Sequence, residues 1–432
     1  MLRLSSRLLI ASFMLCISTG VFSADNFSFF VMTDMHLDSY HYPDARSTIV
    51  NPVEGTYNSG DMQLNTFNKV FDKMAENNIQ NKYSPNFILT LGDTNAHNSS
   101  KYSGYKQINL YTAFLKLENT FPGTPIFHVF GNNDSPEKNY GVFSTHGTSP
   151  YTTLMDKAGW KNGFLSNGSL CSDNADVTPC VTTPTEDNKK YGYFVGYLQK
   201  NLKLIALNSV LFSSSQYSPS HVGAEEELAW IEAELQNSMK NNENVILAMH
   251  IPMGSGWLDQ YNDRFSKIMS KLKPGVIIGI LAGHTHMDQL RITRLIDSNR
   301  KTLGVVPLIM VPALAPAHNN APGFKQIIMT KNNNQWMIQD IVSFAFQQKT
   351  SSDELKLIEY YKFNDSYCPI EKLTVSECMN KNLGYGKSFA YIRTPASDLM
   401  NDHYTNGNLN YTKQVGAATW IYSYEVMTQP AL

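Results

Sequence analysis

Five apolar runs in this chain end in residues that bind metal ions. Phe29-Phe30-Val31-Met32-Thr33 leads into Asp34-Met35-His36, and Phe87-Ile88-Leu89-Thr90-Leu91-Gly92 leads into Asp93. Ile126-Phe127-His128-Val129-Phe130-Gly131 leads into Asn132-Asn133-Asp134. Val245–Met249 leads into His250, and Val276–Gly283 leads into His284-Thr285-His286. Ligands of open α/β sheets bind outside the carboxyl ends of the strands, so five such tips can converge. On an extended segment residues i and i+2 point the same way, so Asp34 with His36, and His284 with His286, each offer two donors together. Carboxylate, amide oxygen and imidazole in this proportion suit a divalent transition metal. An Asp-x-His or a His-x-His alone is commonplace. Five tips in series are a specific signal, and together they point to metal binding.

The elements that would carry these tips alternate in type. Phe27–Thr33, Phe87–Leu91 and Ile126–Phe130 read as buried strands, and Gln63–Ile79 reads as an amphipathic helix with Leu64, Phe67, Val70, Phe71 and Met74 on one face. Tyr191–Leu198 and Leu202–Asn208 alternate as a hairpin across Lys200-Asn201. Helices at Glu225–Met239 and Arg264–Leu272 follow, with strands at Val245–Met249 and Val276–Leu281. Strand-like runs then succeed one another at Leu290–Leu295, Val305–Val311, Lys325–Met329 and Trp336–Val342. This order indicates an α/β protein with mixed sheets. From about Ser351 the texture turns to short helical and Tyr-rich segments, which suggests a small C-terminal subdomain, bounded at 346–432, behind a main domain of 24–345.

The composition of the 432 residues excludes several classes. Lys and Arg number 35 against 37 Asp and Glu with no basic run, which argues against nucleic-acid polymers. Apolar residues make up 42% and aromatics 12%, too many for intrinsic disorder. Arg3 and Arg7, the apolar run Leu8–Ile17 and small residues up to Ser23 form a signal-peptide pattern over 1–23. That run is too short to cross a bilayer, which needs about 20 residues, and no later stretch is long enough. A secreted or periplasmic chain without a membrane span is expected. Beyond Cys16 four cysteines remain, and in an oxidising compartment they would pair. Of three possible pairings, the short loops Cys171–Cys180 and Cys368–Cys378 are the economical one.

The series D-x-H, G-D, G-N-x-D, H, G-H-x-H over about Phe27–Val342 resembles the calcineurin-like metallophosphoesterases. Asp34-Met35-His36-Leu37-Asp38 with Tyr40-His41, Gly92-Asp93 with His97 four residues on, Leu202–Asn208, and Pro312–Pro316 with Asn319, Asn320 and Pro322-Gly323 are similar to one branch, the acid-sphingomyelinase-like phosphodiesterases. The resemblance implies a four-layer α/β/β/α sandwich of two mixed sheets flanked by helices, with a small, mostly helical C-terminal subdomain. It implies two divalent ions, typically zinc, with iron or manganese as alternatives. Asp34, His36, Asp93 and His286 would hold one ion, and Asp93 would bridge to the second with Asn132, His250 and His284. A shared carboxylate lets two cations sit ~3.5–4 Å apart, clamping a phosphate and supplying a hydroxide for in-line attack. His41 and His318 follow branch motifs and would line the substrate cleft.

The third position of G-N-x-D usually carries His in this family, but here it is Asn133, which has no proton to transfer near neutral pH. The branch places a second histidine four residues after the bridging aspartate, so His97 is the expected leaving-group acid and Asn133 a neutral donor to the developing phosphoryl charge. The implied activity is an exported phosphodiesterase or phosphohydrolase for small soluble phosphate esters or anhydrides, such as nucleotides and head-group diesters. Only a short stretch separates Ser23 from Asp34, which leaves no place there for a lipid-extracting domain. Gly131-Asn132-Asn133-Asp134 is also similar to endopolyphosphatases, although the balanced charge does not suit a polyanion. A metal-bearing binding protein that has lost catalysis is the reading from another class.

Overall fold

The computed structural model describes residues 26–39, 61–97, 104–144, 147–172, 178–215, 221–254, 256–296, 299, 301–315, 322–347, 354–383 and 423–427. Residues 1–23, read above as a signal peptide, and His41 and His318 lie outside them. Among the described residues the first sheet has seven strands, in the order Lys356–Lys362, Gln335–Gln347, Gly323–Asn332, Asn26–Met32, Ile88–Thr90, Ile126–His128 and Leu165–Ser166. Asn26–Met32, Ile88–Thr90 and Ile126–His128 run parallel, so their carboxyl ends share one edge. The second sheet has nine strands: Ser423–Met427, Gln289–Ile296, Thr302–Met310, Ile277–Ala282, Asn244–Ala248, Leu202–Ala206, Phe194–Gln199, Cys180–Val181 and Ser169–Leu170. Here Leu202–Ala206, Asn244–Ala248, Ile277–Ala282 and Thr302–Met310 are the parallel centre.

Interior parallel strands are covered on both faces, which is why they appear in the sequence as unbroken apolar runs. Phe29, Phe30, Val31, Ile246, Leu247, Ile280 and Leu281 are all fully buried. The sheets pack face to face. Phe127 of the first stacks near Phe194 of the second, ring centroids 6.1 Å apart, and Trp336 N donates across the gap to Asn244 Oδ1 at 2.7 Å. Helices close the outer faces. Leu64–Glu76 buries Phe67, Val70, Phe71 and Met74, and Tyr105–Thr120 buries Leu110, Ala113, Phe114 and Leu117. Ala224–Lys240 buries Leu228, Ile231 and Leu235, and Asp259–Ser270 buries Phe265, Ile268 and Met269. Each of these side chains other than Ala113 contributes about 1.5–3 kcal/mol. The result is the expected four-layer α/β/β/α sandwich.

Several boundaries differ from the sequence reading. The helix expected over 63–79 stops at Glu76, because Asn78 turns left-handed at φ 51° before a short helix restarts at Ile79–Tyr83. The helix read as Arg264–Leu272 spans Asp259–Ser270, and its first turn is polar apart from the buried Tyr261. The 16-residue helix Tyr105–Thr120 was not foreseen. Beyond 345 the chain carries the helices Phe363–Tyr367 and Val375–Leu383, yet it also extends both sheets: Lys356–Lys362 pairs with Gln335–Gln347, and Ser423–Met427 with Gln289–Ile296. No helix among the described residues is long and apolar enough to cross a membrane.

Cys171 is bonded to Cys180 and Cys368 to Cys378. The first bond ties an edge of the second sheet, and the second anchors the Val375–Leu383 helix behind Phe363–Tyr367. Peptide mapping of denatured, unreduced protein treated with an alkylating reagent should therefore find these four thiols unmodified, and reduction should expose all four.

Candidate metal centre

The strand tips from both sheets meet in two donor clusters. In the first, His36 Nε2 faces His286 Nε2 at 3.0 Å, and Asp34 Oδ1 lies 3.2 Å from His286 Nε2 and 3.5 Å from His36 Nε2. In the second, His250 Nε2 lies 3.1 Å from Asn132 Oδ1 and 3.3 Å from Asp93 Oδ2, with His284 alongside. Asp93 Oδ2 is also 3.8 Å from His36 Nε2, so it stands between the clusters. All seven expected ligands are thus brought together. Metal–nitrogen and metal–oxygen bonds of about 2.0–2.2 Å place donors around one ion about 3–3.5 Å apart, which matches these spacings.

The surroundings aim the donors inward. His36 Nδ1 donates to Asn95 O at 3.3 Å and His250 Nδ1 to Leu91 O at 2.7 Å, which leaves each Nε2 directed at its cluster. Asn132 Nδ2 donates to Asn139 Oδ1 at 2.7 Å, so its oxygen is the atom turned toward His250. Asp34 Oδ2 accepts from Thr33 Oγ1 and from His284 N, whereas Oδ1 is buried with no hydrogen-bond partner among the described residues. A buried carboxylate oxygen held beside two imidazole nitrogens and given no donor is a ligand position for a cation. The residues present fit a pair of divalent ions.

The backbone at the tips is held in a conformation that L-residues disfavour. Asp34, His36, Asp93, His284 and His286 all lie in the left-handed region, with φ between 42° and 70°. Each such residue costs on the order of 1–3 kcal/mol and persists only where its surroundings impose it. Here Asp34 N donates to Gly92 O, His36 N to Asp93 O and Ala315 N to Asp34 O, at 2.9–3.0 Å. The Gly92 and Gly131 loops nearly touch: a Cβ on Gly131 would fall 2.2 Å from Asp93 Oδ1. Asp134 closes the arrangement. Its carboxylate accepts from the N–H groups of Gly131, Asp93, Thr94 and Asn95 and from Asn95 Nδ2, at 2.8–3.2 Å.

The electrostatics follow from burial and from facing charges. Burial alone would raise the Asp93 and Asp34 carboxyls, but the facing histidines hold both well below the usual carboxylate range. Burial also pulls His250 down, and the two carboxylates more than offset it, leaving it up at about 9. Burial depresses His284 to about 4.

His97 sits at the edge of the first cluster, its ring stacked on His36 at 4.2 Å. Its Nδ1 bonds Asp61 Oδ1 at 2.6 Å, and its backbone N–H donates to Asp61 Oδ2 at 3.0 Å. Burial acts to lower the His97 pKa, but Asp61 raises it overall. Asp61 was missed in the sequence because nothing about an aspartate between Gly60 and Met62 marks it. Asn133 does not face open space: its Nδ2 donates to Asp93 Oδ2 at 2.7 Å and its N to Oδ1 at 2.8 Å. His128, read as a core residue, is fully buried and bonds Thr90 Oγ1 through Nδ1.

Residues 27–288 match the calcineurin-like phosphoesterase family. Sphingomyelin phosphodiesterase A of Dictyostelium discoideum is 24% identical over 323 residues, which cover 70% of this chain and 51% of that protein. Cyclic GMP-AMP phosphodiesterase SMPDL3A of Homo sapiens is 24% identical over 335 residues, covering 71% and 65%. The chain thus spans between half and two thirds of the length of these curated relatives. A dimetal phosphatase from Danio rerio aligns over 78% of this chain and 99% of its own, at 13% identity and a TM-score of 0.44.

Two outcomes follow from this geometry. Asp134→Ala strands several buried N–H groups, each worth about 1–3 kcal/mol, so chemical denaturation should show a loss of about 3 kcal/mol or more and metal analysis a depleted centre. In metal-free protein His250 carries a proton at pH 7, since its pKa is held near 9, and a bound ion must displace that proton. Divalent-ion affinity measured by calorimetry should therefore rise with pH up to about 9, by up to tenfold per unit, and then level off. Affinity that is flat between pH 7 and 9 would contradict the assignment.

Proposed function

The chain belongs to the calcineurin-like phosphoesterase family, and on that premise we propose that it is an exported, dinuclear metal-dependent phosphodiesterase for small soluble phosphate diesters or anhydrides. The observation that carries this reading is the place of Asp93 Oδ2, 3.3 Å from His250 Nε2 and 3.8 Å from His36 Nε2. One carboxylate is thereby positioned to serve two ions. Asp34, His36, Asp93 and His286 hold the first, and Asp93, Asn132, His250 and His284 the second, with zinc the expected metal. When bound, such a pair clamps phosphate oxygens and lowers the pKa of a coordinated water.

The remaining roles belong to side chains beside the donors. His97 delivers the proton to the leaving oxygen, and Asp61 fixes its ring through Nδ1 while sustaining its protonated form. Asn133 orients the bridging carboxylate through two hydrogen bonds. Support for diesters comes from the two relatives named as phosphodiesterases. The two disulfides and the basic, then apolar leader support export.

Zinc-loaded protein should hydrolyse bis(p-nitrophenyl) phosphate faster than the corresponding monoester and faster than polyphosphate. Failure on all three would leave a metal-bearing binding protein. General acid catalysis is worth roughly 10²–10⁴-fold. His97→Ala should therefore slow an alkyl leaving group by about that factor and nitrophenolate by less than about tenfold, and Asp61→Asn should reproduce part of the difference. Equal losses on both leaving groups would remove His97 from the acid role.

A further inference from the structure

A second buried polar cluster lies behind the turn that carries His284 and His286. Lys325 is fully buried, and its Nζ donates to Asp288 Oδ1 at 2.8 Å, to Ser343 Oγ at 2.5 Å and to Tyr361 Oη at 3.0 Å. Asp288 in turn accepts from Tyr361 Oη at 3.0 and 3.1 Å and from Ser343 Oγ at 3.0 Å. The four residues come from four segments. Asp288 ends the turn two residues after His286, whereas Lys325, Ser343 and Tyr361 stand on three neighbouring strands of the opposite sheet. Lys325 and Ser343 are paired in register, as are Ser343 and Tyr361.

A buried lysine and aspartate are costly to desolvate, and breaking such a pair from one side is strongly destabilising. A closed network of this kind has a single low-energy arrangement. The turn is therefore pinned at both ends: the Ile277–Ala282 strand holds it on the second sheet, and Asp288 ties it to the first. Between those two fixed points lie two residues in left-handed conformation, His284 and His286. We infer that Asp288, Lys325, Ser343 and Tyr361 form a positioning device for these two histidines, through which a strand beyond residue 345 sets how tightly the metal centre binds its ions. This rests on the assignment of His284 and His286 as ligands.

The test is zinc titration of chelator-treated protein against a competing indicator, with thermal unfolding recorded in chelator. Tyr361→Phe removes one hydroxyl, and Lys325→Met removes the charge while keeping most of the side-chain volume. Each should weaken binding of at least one ion by about 10–100-fold, the usual effect of losing a partner behind a metal ligand. Lys203→Met serves as the control, because Lys203 is also buried and ion-paired, to Glu234 and Glu243, but distant from the turn. It should lower the unfolding temperature and leave zinc affinity within twofold. Wild-type affinity in both Tyr361→Phe and Lys325→Met would overturn the inference, as would an equal loss in Lys203→Met. A wild-type protein that takes up no zinc would instead overturn the metal assignment on which it rests.

Discussion

The centre depends on one buried carboxylate that is itself no ligand. Asp134 gathers four backbone N–H groups from two loops and forces Gly131 against the segment that begins at Asp93. Those N–H groups would otherwise be buried without partners, so the loops cannot separate cheaply. Burial beside Asp93 pushes Asp134 up to about 6, against the pull of its donors. The strain at Asp34, His36 and Asp93 is sustained by this clamp and by the backbone bonds that join Asp34 to Gly92 and to Ala315. The donors are consequently placed before any ion arrives, and the cost of ordering them is met by folding rather than by binding.

The strand tips were readable because parallel interior strands leave a plain trace, an apolar run ending abruptly in Asp, Asn or His. The Tyr105–Thr120 helix left none. Leu110, Ala113, Phe114 and Leu117 are buried, but Ile108, Tyr111 and Leu115 are exposed, while Lys106 and Asn109 lie on the buried side. Apolar residues thus surround that helix instead of forming one stripe, and periodicity carries no information there. Lys106 tolerates its position because its ammonium caps the carbonyls of Asn133 and Ser135. Asp61 and Asp134 illustrate the same limit. Their partners lie 36 and about 40 positions away along the chain, and only the tertiary arrangement connects them.

The hydrogen bonds around Asp93 bear on the part expected of Asn133. Both its N–H and its amide donate to the Asp93 carboxylate, which under the proposed function makes Asn133 an orienting group for that carboxylate. His97, held by Asp61 and stacked on His36, is the residue proposed to deliver the proton. Asp61 serves both rings: it bonds His97 through Nδ1 and lies 3.9 Å from His36 Nδ1.

The donors are divided between the two halves of the sandwich. Asp34, His36, Asp93 and Asn132 follow strands of one sheet, and His250, His284 and His286 follow strands of the other. Any ion held by both sets works as a rivet through the interface. By mass action, an ion present at 100 times its dissociation constant adds about 2.7 kcal/mol to the folded state, and here that increment falls on the docking of the sheets. Loss of metal should thus be felt first as loosened contact between the layers, with access for proteases along the seam, before any strand inside either sheet is disturbed.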